Sequence, residues 1–176
     1  MPPPFASDAG LVIHPPEPIC EKIDRWRRVY NRHYTVIAPH ITVAYPPFVP
    51  EGEWLLVRPA PAAALRAFAP FDVTLRGLGT FEVDEFVLWL QPEDDGSLER
   101  LHAAIRALLP DYAMAAQHAY VPHLTLAFFN TVEAMHAARD RLAQKIKPLH
   151  FRAEAVTYAV LGADGRWHNR DALPLG

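Results

Sequence analysis

One five-residue pattern occurs twice in the chain and constrains its fold more than any other feature. Pro39–Val43 (PHITV) and Pro122–Leu126 (PHLTL) both read proline, histidine, apolar residue, threonine, apolar residue, and the two histidines lie 83 residues apart (123 − 40). Given the composition, chance would produce both copies in roughly one chain in ten thousand, which is the false-positive risk of such a motif. The repeat indicates two similar halves that each carry one copy.

The spacing within each copy predicts which side chains share a face. In a β-strand, residues two apart point the same way, so each histidine would lie beside its threonine, with the two apolar residues on the other side. Polar groups on an inner face cost free energy unless they meet water, one another or a ligand. The preceding proline suits the start of a strand. We therefore expect His40, Thr42, His123 and Thr125 to face a cleft.

Two imidazoles and two hydroxyls suit chemistry on a phosphodiester. A neutral imidazole can accept a proton from an attacking hydroxyl while a protonated one donates to the leaving oxygen, and a pKa near 6.5 allows both forms near neutral pH. Threonine hydroxyls can donate to non-bridging phosphate oxygens. His40 and His123 are therefore the predicted catalytic residues, and Thr42 and Thr125 the predicted phosphate-binding residues. The mechanism requires no metal and no other cofactor.

The order of predicted elements repeats between the halves. Strand, helix, strand, helix, strand is expected over about residues 10–80 and again over about 85–176, with residues 1–9 flexible. This favours an α+β fold in one two-lobed domain (1–176), duplicated and bilobal, with two small antiparallel-rich sheets, outer helices and a central cleft. The predicted strands are 11–13, 36–45, 71–81, 86–90, 120–129, 149–161 and 166–170, and the predicted helices are 19–30, 62–68, 98–108 and 135–146, with Ser97 and Thr131 as N-caps.

Charge and cysteine content exclude several classes of protein. The net charge of −3 and pI near 6.3 argue against a wide basic face that grips duplex DNA. The single cysteine cannot form an intramolecular disulfide, the N-terminus lacks the features of a signal peptide, and no apolar run reaches the roughly 18 residues of a membrane span. We expect a cytoplasmic monomer without membrane contact.

The paired His-x-Thr motifs closely resemble those of the two-histidine phosphoesterases, in particular the bacterial 2′-5′ RNA ligase and RNA 2′,3′-cyclic phosphodiesterase family. The run His40–Pro46 is the most family-like. The resemblance implies a bilobal fold and metal-free hydrolysis of a terminal 2′,3′-cyclic phosphate on RNA, or reversible joining of 2′-5′ linkages, with an RNA end or small nucleotide phosphodiester as partner. It also implies that His40 protonates the leaving oxygen and His123 activates water, although the near symmetry of the motifs allows the reverse.

Two other functions fit the same motifs. One is a phosphodiesterase acting on another small cyclic phosphate, such as a cyclic nucleotide or an ADP-ribose cyclic phosphate. The other is a catalytically silent module that binds an RNA end or a nucleotide. Five aromatic residues near predicted strand ends could stack a base or fill the core: Tyr45, Phe48, Tyr120, Phe128 and Trp167.

Two further patterns are interpreted as unrelated to catalysis. His33-Tyr34-Thr35 also reads His-x-Thr, but it falls at a predicted helix end and is interpreted as a chance match. The cationic run of Arg25, Arg27, Arg28 and Arg32 on the first helix is interpreted as a solvated face, with guidance of RNA as the alternative.

Overall fold

The computed structural model describes residues 9–112 and 119–176, so the N-terminal segment predicted to be flexible lies outside the described residues except for Ala9. The described chain confirms the predicted α+β fold with two small antiparallel sheets. Its elements are β1 (Ala9–Ile13), α1 (Glu17–Tyr30), β2 (Ile41–Ala44), α2 (Glu51–Val57), α3 (Pro59–Arg66), β3 (Phe71–Phe81), β4 (Phe86–Glu93), α4 (Ser97–Leu108), a 3₁₀ turn (Pro110–Tyr112), β5 (Leu124–Phe129), α5 (Val132–Ala143), β6 (Leu149–Ala153), β7 (Ala155–Leu161) and β8 (Trp167–Pro174).

Two four-stranded antiparallel sheets form the frame. The first sheet has the order β2-β1-β7-β8 and the second the order β5-β4-β3-β6. Each sheet therefore takes strands from both sequence halves, because β7 and β8 complete the first sheet while β3 joins the second. The two motif strands, β2 and β5, lie at the edges of their sheets. One continuous cluster of buried apolar side chains runs through both sheets.

The helices that follow β1 and β4 cross between the sheets. α1 packs against β5 and α4 packs against β2, so each helix contacts the motif strand of the other sheet. α4 buries Leu98, Leu101 and Ile105 at the predicted amphipathic spacing, and α1 buries Ile23 and Arg27. This reciprocal packing brings β2 and β5 together. None of the described helices is long and apolar enough to cross a membrane.

Several element boundaries differ from the predictions. β2 and β5 begin at Ile41 and Leu124, one residue after each motif histidine and later than expected. The alternating run predicted as a single strand over 149–161 is two strands, because the chain leaves the second sheet at Glu154 and enters the first. The short helix α2 was not predicted.

One of the two predicted helix caps is confirmed. The hydroxyl of Thr131 accepts a hydrogen bond from the backbone N–H of Ala134 at 3.2 Å, as an N-cap does. Ser97 is instead the first residue of α4, and the N-cap is Gly96 with a φ of 85°. The carboxylate of Asp94 accepts from the N–H of Leu98, so an acidic side chain supplies the cap that serine was expected to supply.

Candidate active site

The two motif strands are built in the same way. In each, the apolar motif residues Ile41 and Val43, or Leu124 and Leu126, are buried, while the threonine between them is only partly buried. Each histidine immediately precedes the strand, where its proline has just set the backbone direction. The alternation expected from the sequence therefore holds in both sheets.

A β-bulge follows the threonine in each motif. In the first sheet Thr42 pairs with Val12 and Ala44 with Leu11, so Val43 is an extra residue in β2. In the second sheet Thr125 pairs with Trp89 and Ala127 with Leu88, which makes Leu126 the extra residue of β5. A bulge bends the strand and re-aims its side chains, and bulges are common beside functional sites. The repeat thus extends from the residue types to the backbone geometry.

The two imidazoles are held by equivalent hydrogen bonds. Nδ1 of His40 contacts the carbonyl oxygen of Ala38 at 2.9 Å, and Nδ1 of His123 contacts that of Val121 at 2.8 Å. Because a carbonyl oxygen can only accept, Nδ1 carries the hydrogen in each ring. In the neutral form Nε2 is then the nitrogen with a free lone pair, and it is the same nitrogen in both residues.

A single cavity of about 310 Å³ joins the two motifs. Its wall includes both imidazoles and both threonines. The cavity is lined by Gly10, Val12, Arg27, Asn31, His33, Val36, Ile37, His40, Thr42, Ala44, Tyr45, Pro46, Phe81, Glu85, Val87, His123, Thr125, Phe128 and Trp167. A volume at the small end of the range for ligand pockets suits one nucleotide rather than a long oligonucleotide.

Burial makes both histidines weak bases in the empty cleft. It lowers the pKa of His40 to about 3; the hydrogen bond to Ala38 opposes this, and the charges of His14, Arg27 and His123 add to it. Burial also lowers the pKa of His123, against the hydrogen bond to Val121. Although both rings keep some exposed surface, the protein around them excludes much of the surrounding water. Loss of water destabilises the charged imidazolium more than the neutral imidazole, so the pKa falls. Both shifts favour the neutral form of the imidazoles near neutral pH.

Aromatic side chains surround His123. The ring of Phe81 meets it edge-on with centroids 4.9 Å apart, and Tyr45 lies nearly parallel to it at 6.4 Å. Trp89 packs below, 6.0 Å from His123 and 5.2 Å from Phe81. Gly79 makes room for this indole, because a Cβ atom there would lie 2.2 Å from it. Packing on several sides restricts the imidazole to one orientation.

Two side chains from the second half hold β2 from outside its sheet. The Tyr120 hydroxyl donates to the carbonyl of Thr42 at 2.7 Å, and Nδ1 of His102 donates to the carbonyl of Val43 at 2.7 Å. The rings of His102 and Tyr120 are stacked, 3.9 Å apart and 4° from parallel. Burial raises the pKa of Tyr120, so its hydroxyl stays protonated and donates. We call Tyr120 and His102 the β2 clamp.

The five aromatic residues singled out in the sequence are divided between cleft and core. Tyr45, Phe128 and Trp167 line the cavity. Phe48 is buried in the hydrophobic core. Tyr120 is in the β2 clamp, packed against His102 and Tyr45.

Several cavity residues were not predicted. His33, interpreted as a chance match, lines the wall together with Asn31 at the end of α1. Phe81 is the last residue of β3, and Glu85 lies in the connection between β3 and β4. No local pattern marks them, since they reach the cleft only through the pairing of β3, β4 and β5.

Arg27 differs from the solvated arginine expected on α1. It is 3% exposed, and its guanidinium donates to Asp24 at 2.7 Å and to the carbonyl of Ile37 at 2.6 Å. Within 9–112 and 119–176, its buried Nε has no hydrogen-bond partner. Burial lowers the pKa of Arg27. The contact with Ile37 anchors the loop that leads into His40. The sequence did contain a signal for this burial, because Arg27 follows Cys20 and Ile23 at the spacing of one helix face.

Among the described residues, no group of three or more histidine, cysteine, aspartate or glutamate side chains is arranged to hold a metal ion. The cleft instead offers imidazoles and hydroxyls, which are groups that move protons and donate hydrogen bonds.

Two antiparallel sheets around a cleft with paired His-x-Thr motifs define a protein of the two-histidine phosphoesterase class. Residues 15–165 match the model of the 2′-5′ RNA ligase superfamily, and the chain belongs to that family.

Individual relatives agree with this assignment. A Geobacillus kaustophilus protein named "Putative phosphoesterase" is 31% identical over 121 residues, 66% of each chain. A protein of the same name from Geobacillus thermodenitrificans is 26% identical over 169 residues, 95% of each chain. Among solved structures, E. coli LigT in complex with 3′-AMP is similar in fold, with a TM-score of 0.68 and 20% identity over 96% of this chain and 98% of LigT.

Proposed function

We propose that this chain is a metal-independent phosphodiesterase that hydrolyses the terminal 2′,3′-cyclic phosphate of RNA, or reversibly joins 2′-5′ RNA linkages, by acid-base catalysis at His40 and His123. The observation that carries the proposal is that one cavity is lined by both imidazoles and both motif threonines. Family membership supports phosphoesterase or ligase-like chemistry. We place the activity in the cytoplasm, since the single cysteine gives no sign of an oxidising compartment.

Hydrolysis needs one proton accepted and one donated. In the proposed step, a water oxygen bonds to phosphorus while its proton passes to Nε2 of His123. The bond from phosphorus to one ribose oxygen breaks, and that oxygen takes a proton from Nε2 of His40. Thr42 and Thr125 donate to the non-bridging oxygens, where charge is concentrated. The ring opens to a phosphomonoester, and exchange with solvent restores the protons. The equivalent surroundings of the histidines also allow the reverse assignment.

The substrate supplies the charge that this mechanism needs. His40 must be protonated to act as an acid, whereas burial lowers its pKa to about 3 in the empty cleft. An anion within about 4–6 Å favours the charged form of an imidazole and raises its pKa. A bound phosphodiester would therefore draw a proton onto one of the histidines, so that the acid forms when its substrate is in place.

The size of the cavity supports a nucleotide end as the ligand. A volume of about 310 Å³ suits one nucleotide with its phosphate. LigT, similar in fold, has been solved with 3′-AMP, with ATP and with NADP⁺. These complexes support a nucleotide as the kind of ligand that this chain binds.

A panel of cyclic phosphates, assayed with EDTA present, tests the proposal. We expect turnover of RNA ending in a 2′,3′-cyclic phosphate, and slower or no turnover of 3′,5′-cyclic nucleotides and ADP-ribose cyclic phosphate. His40→Ala and His123→Ala should each lower turnover by at least about a hundredfold, the lower bound for loss of a general acid or base, with unchanged circular dichroism. A variant that keeps the full rate would remove that histidine from the mechanism.

A module that binds nucleotides without turning them over is the second candidate. It is favoured by the lowered pKa of both histidines, since two neutral imidazoles can bind without transferring protons. Tight binding of a nucleoside 3′-monophosphate without hydrolysis of any cyclic phosphate between pH 4 and 9 would support it. A bell-shaped dependence of rate on pH would exclude it, because that shape reports an acid and a base acting together.

A further inference from the structure

The cleft face of the second sheet carries two successive rows of paired residues. In the first row Thr125 pairs with Trp89, which pairs with Gly79. In the second row Phe128 pairs with Val87, which pairs with Phe81. Glu85 lies two residues before Val87, in the exposed connection that leads into β4. All of the second row and Glu85 line the cavity.

These rows place a carboxylate beyond the aromatic pair. Each two-residue step along a strand covers roughly 6.6 Å, so the row of Phe81 and Phe128 lies one such step beyond the row of Thr125, and Glu85 follows in the connection just outside β4. Phe81 and Phe128 lie between, where the flat faces of a sugar and base would pass.

The charge of Glu85 fits only one orientation of a nucleotide. Among the described residues that line the cavity, Glu85 is the only carboxylate. A carboxylate repels phosphate and accepts hydrogen bonds from N–H donors. A nucleotide held at its phosphate by the motif residues would therefore present its base, and not a second phosphate, to Glu85.

We propose that Glu85 reads the base of the nucleotide that carries the cyclic phosphate, and that it favours guanine. The inference rests on the proposed function, because it uses the phosphate position set by His123 and Thr125. Guanine presents two adjacent donors, N1–H and the exocyclic N2 amine, which match the two carboxylate oxygens. Adenine and cytosine present an amine beside an acceptor. Uracil presents one N–H between two carbonyls that a carboxylate repels, so it should be least favoured.

The experiment compares guanosine and uridine ligands on three proteins. The 2′,3′-cyclic monophosphates of the two nucleosides serve for turnover, and their 3′-monophosphates serve for binding by calorimetry. The proteins are the natural chain, Glu85→Gln and Glu82→Gln. Glu82 is the matched control: it lies on the same β3–β4 connection, but its carboxylate accepts from Thr80 and His136 and it does not line the cavity.

We expect the natural chain and Glu82→Gln to prefer the guanosine ligand at least about tenfold, which is the usual discrimination of a bidentate contact to a base. Glu85→Gln should reduce that preference to within about threefold. Equal use of both ligands by the natural chain, or an unchanged preference in Glu85→Gln, would overturn the inference. If no cyclic phosphate is hydrolysed, the proposed function fails, and the binding of the two 3′-monophosphates still decides the role of Glu85.

Discussion

At the scale of single residues, the site depends on which imidazole nitrogen is available. Both rings use Nδ1–H to bind the carbonyl two residues earlier, at 2.9 Å in His40 and 2.8 Å in His123. That contact fixes the tautomer and the orientation together, so that Nε2 is the nitrogen left for the proposed proton transfer. In both residues the orienting group is a backbone carbonyl, so no second side chain is needed to hold the ring.

Substitutions of the motif threonines distinguish a role of the hydroxyl group from a role of the side chain's size and shape. Thr42→Val or Thr125→Val should lower kcat/KM by roughly ten- to a hundredfold, because a hydrogen bond to a charged group contributes about 1.5–3 kcal/mol. Serine at either position keeps the hydroxyl and should stay within about threefold of the natural rate. Steady-state kinetics with thermal melts as the folding control measure this. Equal losses for valine and serine would show that the hydroxyl is not the functional group.

His40 also predicts how stability depends on pH. Its pKa is about 3 in the folded protein, and the unfolded value is near 6.5. Between these values the unfolded chain binds a proton that the folded chain does not, so the free energy of unfolding falls as the pH drops from about 6.5 towards 3. His40→Gln should lessen that fall by at least about 1 kcal/mol, the worth of roughly one pKa unit. Urea denaturation at a series of pH values measures it, and parallel curves for the two proteins would contradict it.

At the scale of elements, the motif strands combine an edge position with a bulge. Val43 and Leu126 are the extra residues, each directly after the motif threonine. Alternation in the sequence predicts which residues face the cleft, but bulges arise from pairing with β1 and β4, which lie far along the chain. For this reason the four motif residues could be predicted, while the backbone geometry around them could not.

The boundary between β6 and β7 was missed because no glycine or proline separates the two strands in the sequence. Leu149, Phe151 and Ala153 are buried at odd positions, whereas Val156 and Tyr158 are buried at even positions. The alternation shifts by one residue at Glu154, whose carbonyl accepts from the N–H of Leu175, and this shift was the signal that the prediction of a single strand overlooked. Helix α2 carries no amphipathic signal because its Leu55 and Leu56 are exposed.

The β2 clamp predicts that Tyr120 affects catalysis although its side chain does not line the cavity. Tyr120→Phe removes the donor to the Thr42 carbonyl and should lower stability by about 1 kcal/mol, the net worth of one hydrogen bond. It should also lower kcat, because β2 loses a contact at Thr42, the proposed phosphate-binding residue.

Tyr112→Phe is the matched control for the clamp. Its hydroxyl donates to Glu53 at 2.6 Å in an exposed contact, and neither residue lines the cavity. Kinetics and urea denaturation of both variants make the comparison. If kcat is unchanged in Tyr120→Phe, or falls as much in Tyr112→Phe, the clamp does not position Thr42.

At the scale of the whole molecule, the site lies between two sheets that each contain strands from both halves of the sequence. The sequence halves of about 10–80 and 85–176 each carry one motif, yet β3 pairs in the second sheet and β7 and β8 pair in the first. Hydrophobic alternation predicts that a strand is buried, but it does not say which sheet the strand joins. Phe81 and Glu85 reach the cleft wall through that choice and could not be predicted, whereas Tyr45, Phe128 and Trp167 were among the candidates.

The central claim is that Nε2 of His40 and Nε2 of His123 meet one anion. Nitrogen-15 NMR of the histidine rings, followed while inorganic phosphate is added at several pH values, measures it directly. We predict Nδ1–H tautomers for both rings in the free protein, and Nε2 signals that shift together with a single dissociation constant while the apparent pKa of the pair rises. A response of only one of the two rings, or shifts that saturate at different phosphate concentrations, would contradict the account.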